Sequence, residues 1–206
     1  MKKIIIALIC ICVFSGISAF AGTPDKTIAN LKAAYAGEST ASAKYAAFAA
    51  QARKENLVNI AIMFEATSKS EAIHAENHKS VLEKLGQKVD PVKPDIEVKT
   101  TSENLKDALE GETHEVTTMY PGFIATAKSE DVKSAAKSFT WAMDTEKKHQ
   151  VFYKAAIDAL VAKTVASLPV LYWVCPKCGY TYNIPKPTGE CGLCGTSAEK
   201  YLKFGK

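Results

Sequence analysis

Two glutamate–histidine pairs are the residues of this sequence with the clearest chemical potential. Glu71-Ala-Ile-His74 and Glu146-Lys-Lys-His149 both have the spacing Glu-x-x-His. Residues three apart on an α-helix lie one turn apart on the same face, so both side chains of a pair can reach one metal ion. Each pair also continues an apolar stripe of its own helix, which directs ionisable groups into the core, where an unpaired charge is costly. The spacing therefore predicts that bound metal ions satisfy them.

Two other predicted helices carry glutamates on their inward faces, Glu38 in the first helix and Glu112 and Glu115 in the third. The Gly-Glu-Ser around Glu38 resembles the Gly-Glu-Thr around Glu112, which indicates two similar helix pairs facing each other. One glutamate from each of two helices, with a Glu-x-x-His pair from each of the others, is the ligand set of di-iron carboxylate bundles. Glu115 is a seventh candidate ligand.

The alternative interpretation is structural, because a helical glutamate is usually solvated and a helical histidine is usually half-buried. Agreement of four helices on one inward face favours the metal site. The other two histidines give weaker signals. His78 lies one turn beyond His74 and is a candidate for supporting a ligand, whereas His114 is predicted to be solvated.

Four cysteines near the C-terminus form two Cys-x-x-Cys turns, Cys175 with Cys178 and Cys191 with Cys194, twelve residues apart. Two such turns can place four thiolates tetrahedrally around zinc or iron. Disulfides are the alternative in an exported protein, but this spacing in a small glycine-rich unit is more typical of a metal site. The spacing leaves zinc and iron open. Nearby aromatic residues favour a redox iron inside a packed apolar shell. These are Tyr172, Trp173, Tyr180, Tyr182 and Phe204.

The elements that must position these residues are long helices, because apolar residues recur at three- and four-residue spacing between residues 23 and 164. Thr100 with Glu103 predicts a capping box at the start of the third helix, and Pro121 falls inside that helix and is expected to kink it. Short, long and short connections indicate an all-α ferritin-like four-helix bundle. The predicted helices cover residues 23–54, 57–85, a third segment opening at 100, and 131–164.

The composition is that of a folded protein, with 206 residues, 47% of them hydrophobic and 23% charged. This excludes a disordered chain and, with one long apolar run, a polytopic membrane protein. The net charge of +4 is spread along the chain without a basic stripe, so we expect no nucleic-acid partner.

The N-terminus has the features of an export signal. Residues 1–21 consist of a basic start, an apolar segment and a final Ala-Phe-Ala, so a cleaved signal peptide and a periplasmic location are expected, with an uncleaved membrane anchor as the alternative. The helical bundle is then predicted at residues 22–167 and the cysteine unit at 168–206. A unit of that size needs a metal because it buries too little apolar surface.

Together these motifs resemble rubrerythrins over essentially the whole mature sequence. The resemblance implies a ferritin-like di-iron domain followed by a rubredoxin-like domain, with three iron ions per chain. The implied di-iron ligands are Glu38, Glu71, His74, Glu112, Glu115, Glu146 and His149. The implied ligands of the single iron are Cys175, Cys178, Cys191 and Cys194. In addition, Tyr45 and Tyr120 match tyrosines that hydrogen-bond the carboxylates in that family, and His74 and Glu115 would exchange at one iron.

The activity that the resemblance implies is reduction of hydrogen peroxide to water, with electrons from an unidentified donor relayed through the cysteine-bound iron. Family members are commonly homodimers in which one chain's rubredoxin-like domain approaches the other's di-iron site. The alternatives are a ferroxidase or iron-handling protein, and a non-catalytic electron-transfer or zinc-ribbon module. Two features depart from the family pattern: the export signal, and Gly192 where the second cysteine turn usually has proline.

Overall fold

The computed structural model describes residues 23–206, so the predicted signal peptide lies outside the described residues. Five α-helices make up most of this part of the chain. In residues 23–206, no helix combines the length and apolar character needed to cross a membrane. The helices are α1 Asp25–Lys54, α2 Val58–Lys84, α3 Thr101–His114, α4 Tyr120–Ser129 and α5 Lys133–Ala162.

The arrangement of these helices confirms the predicted ferritin-like bundle. Helix α1 packs along α2, and α3 and α4 together form a broken helix that packs along α5. The connection between the two pairs, residues 85–100, is long and contains neither helix nor strand. The capping box at Thr100 is present, with Glu103 Oε2 accepting the Thr100 N–H at 3.2 Å. Gly86 follows α2 with a φ of +76°, a conformation that glycine adopts without strain.

The break in the third helix lies one turn earlier than the sequence predicts. Residues Glu115–Met119 form a π-helical turn, in which the N–H of Tyr120 donates to the carbonyl of Glu115, and α4 begins with Pro121 in its first turn. A proline ring clashes with the carbonyl four residues earlier in a regular α-helix. The wider π turn accommodates Pro121 and changes the direction of the residues just before it.

Two apolar clusters fill the bundle above and below the layer of predicted ligands. One contains Phe48 of α1 and Phe64 of α2, and the other contains Leu31 and Leu82 of the same helices. Along each helix the ligand residue lies between these two positions. The polar layer is therefore sealed from solvent on both sides by buried aromatic and aliphatic side chains.

The C-terminal unit contains a three-stranded antiparallel sheet, β1 Leu171–Val174, β2 Thr181–Tyr182 and β3 Leu202–Gly205, in the order β2-β1-β3. Alternate residues of β1 face different surroundings. Tyr172 joins the bundle core and meets Phe152 edge to face, whereas Trp173 packs against the cysteines. The expectation that all five aromatic residues surround the cysteines is therefore wrong for Tyr172 and Phe204, because the pleat turns them toward the bundle.

Candidate metal centres

Six of the seven predicted bundle ligands meet in the middle of the helices as two overlapping groups. In each group the potential ligand atoms lie within 4.8 Å of one another. Because two glutamates belong to both groups, two metal positions would share these carboxylates. The first group is Glu38, Glu71, His74 and Glu146, and the second is Glu71, Glu112, Glu146 and His149.

The Nδ1 atoms of the two histidines each lie within 3.0 Å of two carboxylate oxygens. His74 Nδ1 lies 2.9 Å from Glu71 Oε2 and 2.8 Å from Glu146 Oε1. His149 Nδ1 lies 3.0 Å from Glu71 Oε1 and 2.6 Å from Glu146 Oε2. Octahedral metal–ligand bonds place neighbouring ligand atoms about 3 Å apart. These distances suit two ions, each beside one histidine and between the shared carboxylates.

Buried polar atoms that lack a hydrogen bond also indicate two metal ions in this cluster. The short contacts between these atoms lack hydrogen-bond geometry: among the described residues, both oxygens of Glu71 and of Glu146 are buried without a hydrogen bond, as are the Nδ1 atoms of His74 and His149. Such atoms are costly to bury unless a partner satisfies them. The four glutamates of the two groups carry four negative charges when ionised, which two divalent cations would neutralise. The donor set therefore fits a di-iron carboxylate site.

The pKa values indicate where this cluster holds protons when cations are absent. Burial raises the pKa of Glu38 to about 8. Burial and the neighbouring carboxylates raise the pKa of both Glu112 and Glu115 well above the usual glutamate range. Burial also opposes ionisation of Glu146, but the two adjoining histidines outweigh it and lower that pKa to about 2. Because ligands must be deprotonated, binding of metal ions at neutral pH would release protons from Glu38 and its neighbours.

Two buried tyrosines orient the carboxylates, and one predicted ligand lies apart. The Tyr45 hydroxyl donates to Glu112 Oε1 at 2.9 Å, and the Tyr120 hydroxyl donates to Glu38 Oε1. Glu115 is half-buried in the π turn and lies outside both ligand groups. In this structure His74, and not Glu115, joins the first group.

Two buried residues beside the cluster, His78 and Ser138, are only weakly indicated by the sequence or not indicated at all. His78 is fully buried and bonds Tyr120 and Ser138. Burial and the nearby His74 lower the pKa of His78 to about 3, so its ring is neutral. Ser138 was not predicted, although it lies two helical turns before Glu146 and therefore on the same face of α5.

The four cysteines form a second compact group. All four sulfur atoms lie within 4.8 Å of one another, with Cys175 Sγ 3.5 Å from Cys194 Sγ and Cys178 Sγ 3.6 Å from Cys191 Sγ. A disulfide requires about 2 Å, whereas sulfurs bound tetrahedrally to zinc or iron are about 3.8 Å apart. Within residues 23–206 the cysteines are free thiols, arranged as a four-thiolate metal site requires.

The cysteine unit rests directly on the helices that carry the histidines. Ser70 Oγ of α2 donates to the carbonyl of Gly179 at 2.7 Å, and Thr181 Oγ1 lies 3.1 Å from Nε2 of His149. The chain leading to the sheet is also held, because Asn59 Nδ2 donates to the carbonyl of Leu168 at 3.0 Å. These contacts form within one chain and place the two metal sites against each other. The sequence carries no periodic signal for them.

Gly179 offers a test of this contact. Its φ is +82°, and a Cβ there would overlap the imidazole of His74. We expect Gly179→Ala to lower the free energy of unfolding more than Gly189→Ala does. Gly189 has a similar φ of +74°, but within the described chain no atom lies within 4 Å of its added Cβ. Both variants carry backbone strain of about 1–2 kcal/mol. The difference between their free energies of unfolding in urea therefore measures the cost of the overlap with His74. Equal losses would contradict the packing of Gly179 on His74.

Comparisons with known proteins agree with this geometry. The rubrerythrin family model matches residues 29–157. Rubrerythrin-2 of Clostridium acetobutylicum is 33% identical over 175 residues, covering 84% of this chain and 94% of its own. Nigerythrin of Nitratidesulfovibrio vulgaris is 34% identical over 181 residues, covering 86% of each chain. A solved structure of nigerythrin in its fully reduced, all-ferrous state has a TM-score of 0.77 at 32% identity, with 86% of each chain covered. The chain belongs to the rubrerythrin family.

Proposed function

We propose that this protein reduces hydrogen peroxide to water at a di-iron site that receives electrons from an iron held by the four cysteines. The observation that carries the proposal is the overlap of two ligand groups at Glu71 and Glu146, in contact with a four-thiolate unit. Iron storage requires oxidation of incoming iron and no relay for returning electrons. A thiolate centre placed against the histidines favours a site that is repeatedly re-reduced.

In the proposed reaction, iron and the protein side chains have different roles. Iron bound at the shared carboxylates would supply the two electrons that break the O–O bond, and the balanced step consumes two protons and gives two water molecules. The carboxylates are hard oxygen donors suited to both oxidation states of iron. Tyr45 and Tyr120 each hold one oxygen of a ligand carboxylate, which fixes the orientation of Glu112 and Glu38. The flanking apolar clusters exclude bulk water.

Glu115 is proposed as the ligand that replaces His74 when the iron is oxidised, as the family resemblance implies. Burial raises the pKa of its carboxyl group, and the nearby carboxylates of Glu38 and Glu112 raise that pKa further. It lies in the π turn, and such turns occur frequently at functional sites because they redirect one side chain. This supports a carboxylate poised beside the first ligand group.

We propose that electrons enter the bundle through the contacts of the cysteine unit. Gly179 directly follows Cys178 and packs on His74, and Thr181 bonds His149. Each predicted iron of the pair therefore has a histidine in contact with the four-thiolate unit. A separate electron donor must reduce that unit from solution.

The proposal also includes the oligomeric state of the protein and its cellular location. A homodimer and export to the periplasm are expected from the family and from residues 1–21, respectively. A dimer that exchanges its C-terminal units would keep the contacts at Gly179 and Thr181. Analytical ultracentrifugation tests the dimer, and N-terminal sequencing of the periplasmic fraction tests the cleavage.

Metal analysis with anaerobic peroxide titration is the direct test of the activity. We expect about three iron ions per chain, a ferric-thiolate colour that bleaches on reduction, and one peroxide consumed for about two ferrous ions of the di-iron site. Rapid oxidation by oxygen with no reaction toward peroxide would instead support a ferroxidase. Zinc at the cysteines without the visible colour would contradict the relay.

A further inference from the structure

A chain of buried hydrogen bonds leads from the first ligand group toward the surface. The Tyr120 hydroxyl donates to Glu38 Oε1, His78 Nε2 lies 3.2 Å from the Tyr120 oxygen, and Ser138 Oγ lies 2.8 Å from His78 Nδ1. His78 and Tyr120 are fully buried, and Ser138 is 5% exposed. The three residues come from α2, α4 and α5, so the chain crosses the bundle.

The direction of each bond follows from the donors that are available. Tyr120 uses its only hydrogen on Glu38, so the Tyr120 oxygen can only accept from His78, and Nε2 of the ring must carry a proton. With a single ring proton on Nε2, Nδ1 accepts from the hydroxyl of Ser138, which lies 2.8 Å away. Every donor in the chain therefore points toward Glu38.

The outer end of the chain reaches a surface cleft. A cleft of about 160 Å³ is lined by Ser138 together with polar residues of α2 and α5, among them Asn77 and Ser134. The space suffices for several water molecules. Water in the cleft can donate to the Ser138 oxygen and replace the proton that Ser138 passes inward.

We propose that Ser138, His78 and Tyr120 form an inward proton relay to Glu38, which deepens and rests on the peroxide reduction proposed above. Breaking the O–O bond of hydrogen peroxide takes two electrons from ferrous iron and two protons, and releases two water molecules. One proton enters from cleft water: Ser138 passes its hydrogen to Nδ1 of His78, Nε2 passes one to Tyr120, and Tyr120 passes one to the Glu38 carboxylate, which gives it to a departing oxygen. The ring is left with its proton on Nδ1, and it returns to the starting tautomer by giving that proton up to water and taking another on Nε2.

The exchange rate of the His78 ring proton with solvent distinguishes a proton relay from a purely structural role of Ser138. If Ser138 only packs against His78, removing its hydroxyl opens the cleft onto the ring and exchange of the ring proton with solvent stays the same or becomes faster. If Ser138 carries protons, removing the hydroxyl interrupts the route and exchange becomes slower. The direction of the change therefore separates a relay from packing.

The test compares Ser138→Ala with Ser134→Ala in the full chain loaded with zinc and labelled with ¹⁵N-histidine. Ser134 lines the same cleft one turn away on α5 and is exposed. We expect hydrogen–deuterium exchange at His78 Nε2 to slow about tenfold in Ser138→Ala, below the roughly 100-fold or more typical of general acid–base catalysis, and to be unchanged in Ser134→Ala. Unchanged or faster exchange in Ser138→Ala would overturn the relay.

A second arm uses the reduced, iron-loaded protein and hydrogen peroxide. The relay predicts that Ser138→Ala oxidises about tenfold more slowly than Ser134→Ala and with an altered solvent isotope effect. Slower exchange with an unchanged oxidation rate would overturn the role in peroxide reduction. A wild-type protein that does not react with peroxide would refute the proposed function, while the zinc experiment would still decide whether the relay exists.

Discussion

Replacing Glu71 by alanine is expected to empty both metal positions of the bundle. Glu71 approaches His149 with Oε1 and His74 with Oε2, so one side chain serves both ligand groups. Its loss removes a shared ligand and one of the negative charges that hold the ions. We expect the iron content to fall from about three ions per chain to about one, the ion at the cysteines.

The rate at which peroxide oxidises reduced Glu71→Ala should fall by a much larger factor than the iron content of the variant. Oxidation of the reduced protein by peroxide is expected to drop at least about 1,000-fold, because the two-ion site proposed to break the O–O bond is lost. The ferric-thiolate absorption should persist, since the cysteine group is built from other segments. Stopped-flow absorption and metal analysis on the same sample measure both quantities.

Glu76→Ala is the matched control, because Glu76 lies on the same helix and its side chain is 68% exposed. It should retain three irons and the wild-type oxidation rate. A Glu71→Ala protein that keeps its di-iron content, or that turns over like Glu76→Ala, would refute the assignment of Glu71 as a ligand. Loss of iron in both variants would point to general destabilisation of α2.

The sequence predicts the bundle and the ligand groups well because both depend on helical periodicity. A metal that needs glutamate and histidine one turn apart leaves the pattern Glu-x-x-His, and Glu71 and Glu146 are recognisable for that reason. The capping box at Thr100 is likewise local. Periodicity reports only which face of a helix is buried, and the expectation that Tyr45 and Tyr120 hydrogen-bond the ligand carboxylates comes instead from the resemblance to rubrerythrins.

What the sequence predicts poorly depends on contacts between segments that have no common period. Thr181 lies in a strand of two residues, and Gly179 lies in a cysteine turn. Neither position indicates which helix it will meet. The π turn before Pro121 inserts one residue into the repeat, and a hydrophobic pattern tolerates that shift. In the sequence Ser138 is an ordinary small polar residue, and only the folded structure shows that it contacts His78.

Replacing Cys178 by serine is the second change expected to have a large effect. Three of the five buried residues in the C-terminal cluster are cysteines, Cys175, Cys178 and Cys191, and the strands have at most four residues. Metal binding therefore replaces a hydrophobic core in holding this unit together. We expect Cys178→Ser to lose the cysteine-bound iron and its visible absorption.

The consequence for catalysis should depend on how electrons are supplied. When the di-iron site is reduced beforehand, one turnover with peroxide should proceed in Cys178→Ser, because the bundle ligands are intact. Steady-state reduction of peroxide with an external donor should fall at least about 100-fold, since the proposed electron relay through the cysteine-bound iron is missing. Lys177→Ala is the control: Lys177 lies between the two cysteines of the turn, and its side chain is exposed. Equal steady-state rates in Cys178→Ser and Lys177→Ala would show that electrons reach the bundle without the cysteine iron, and the proposed relay would fail while the peroxide chemistry of the bundle would stand.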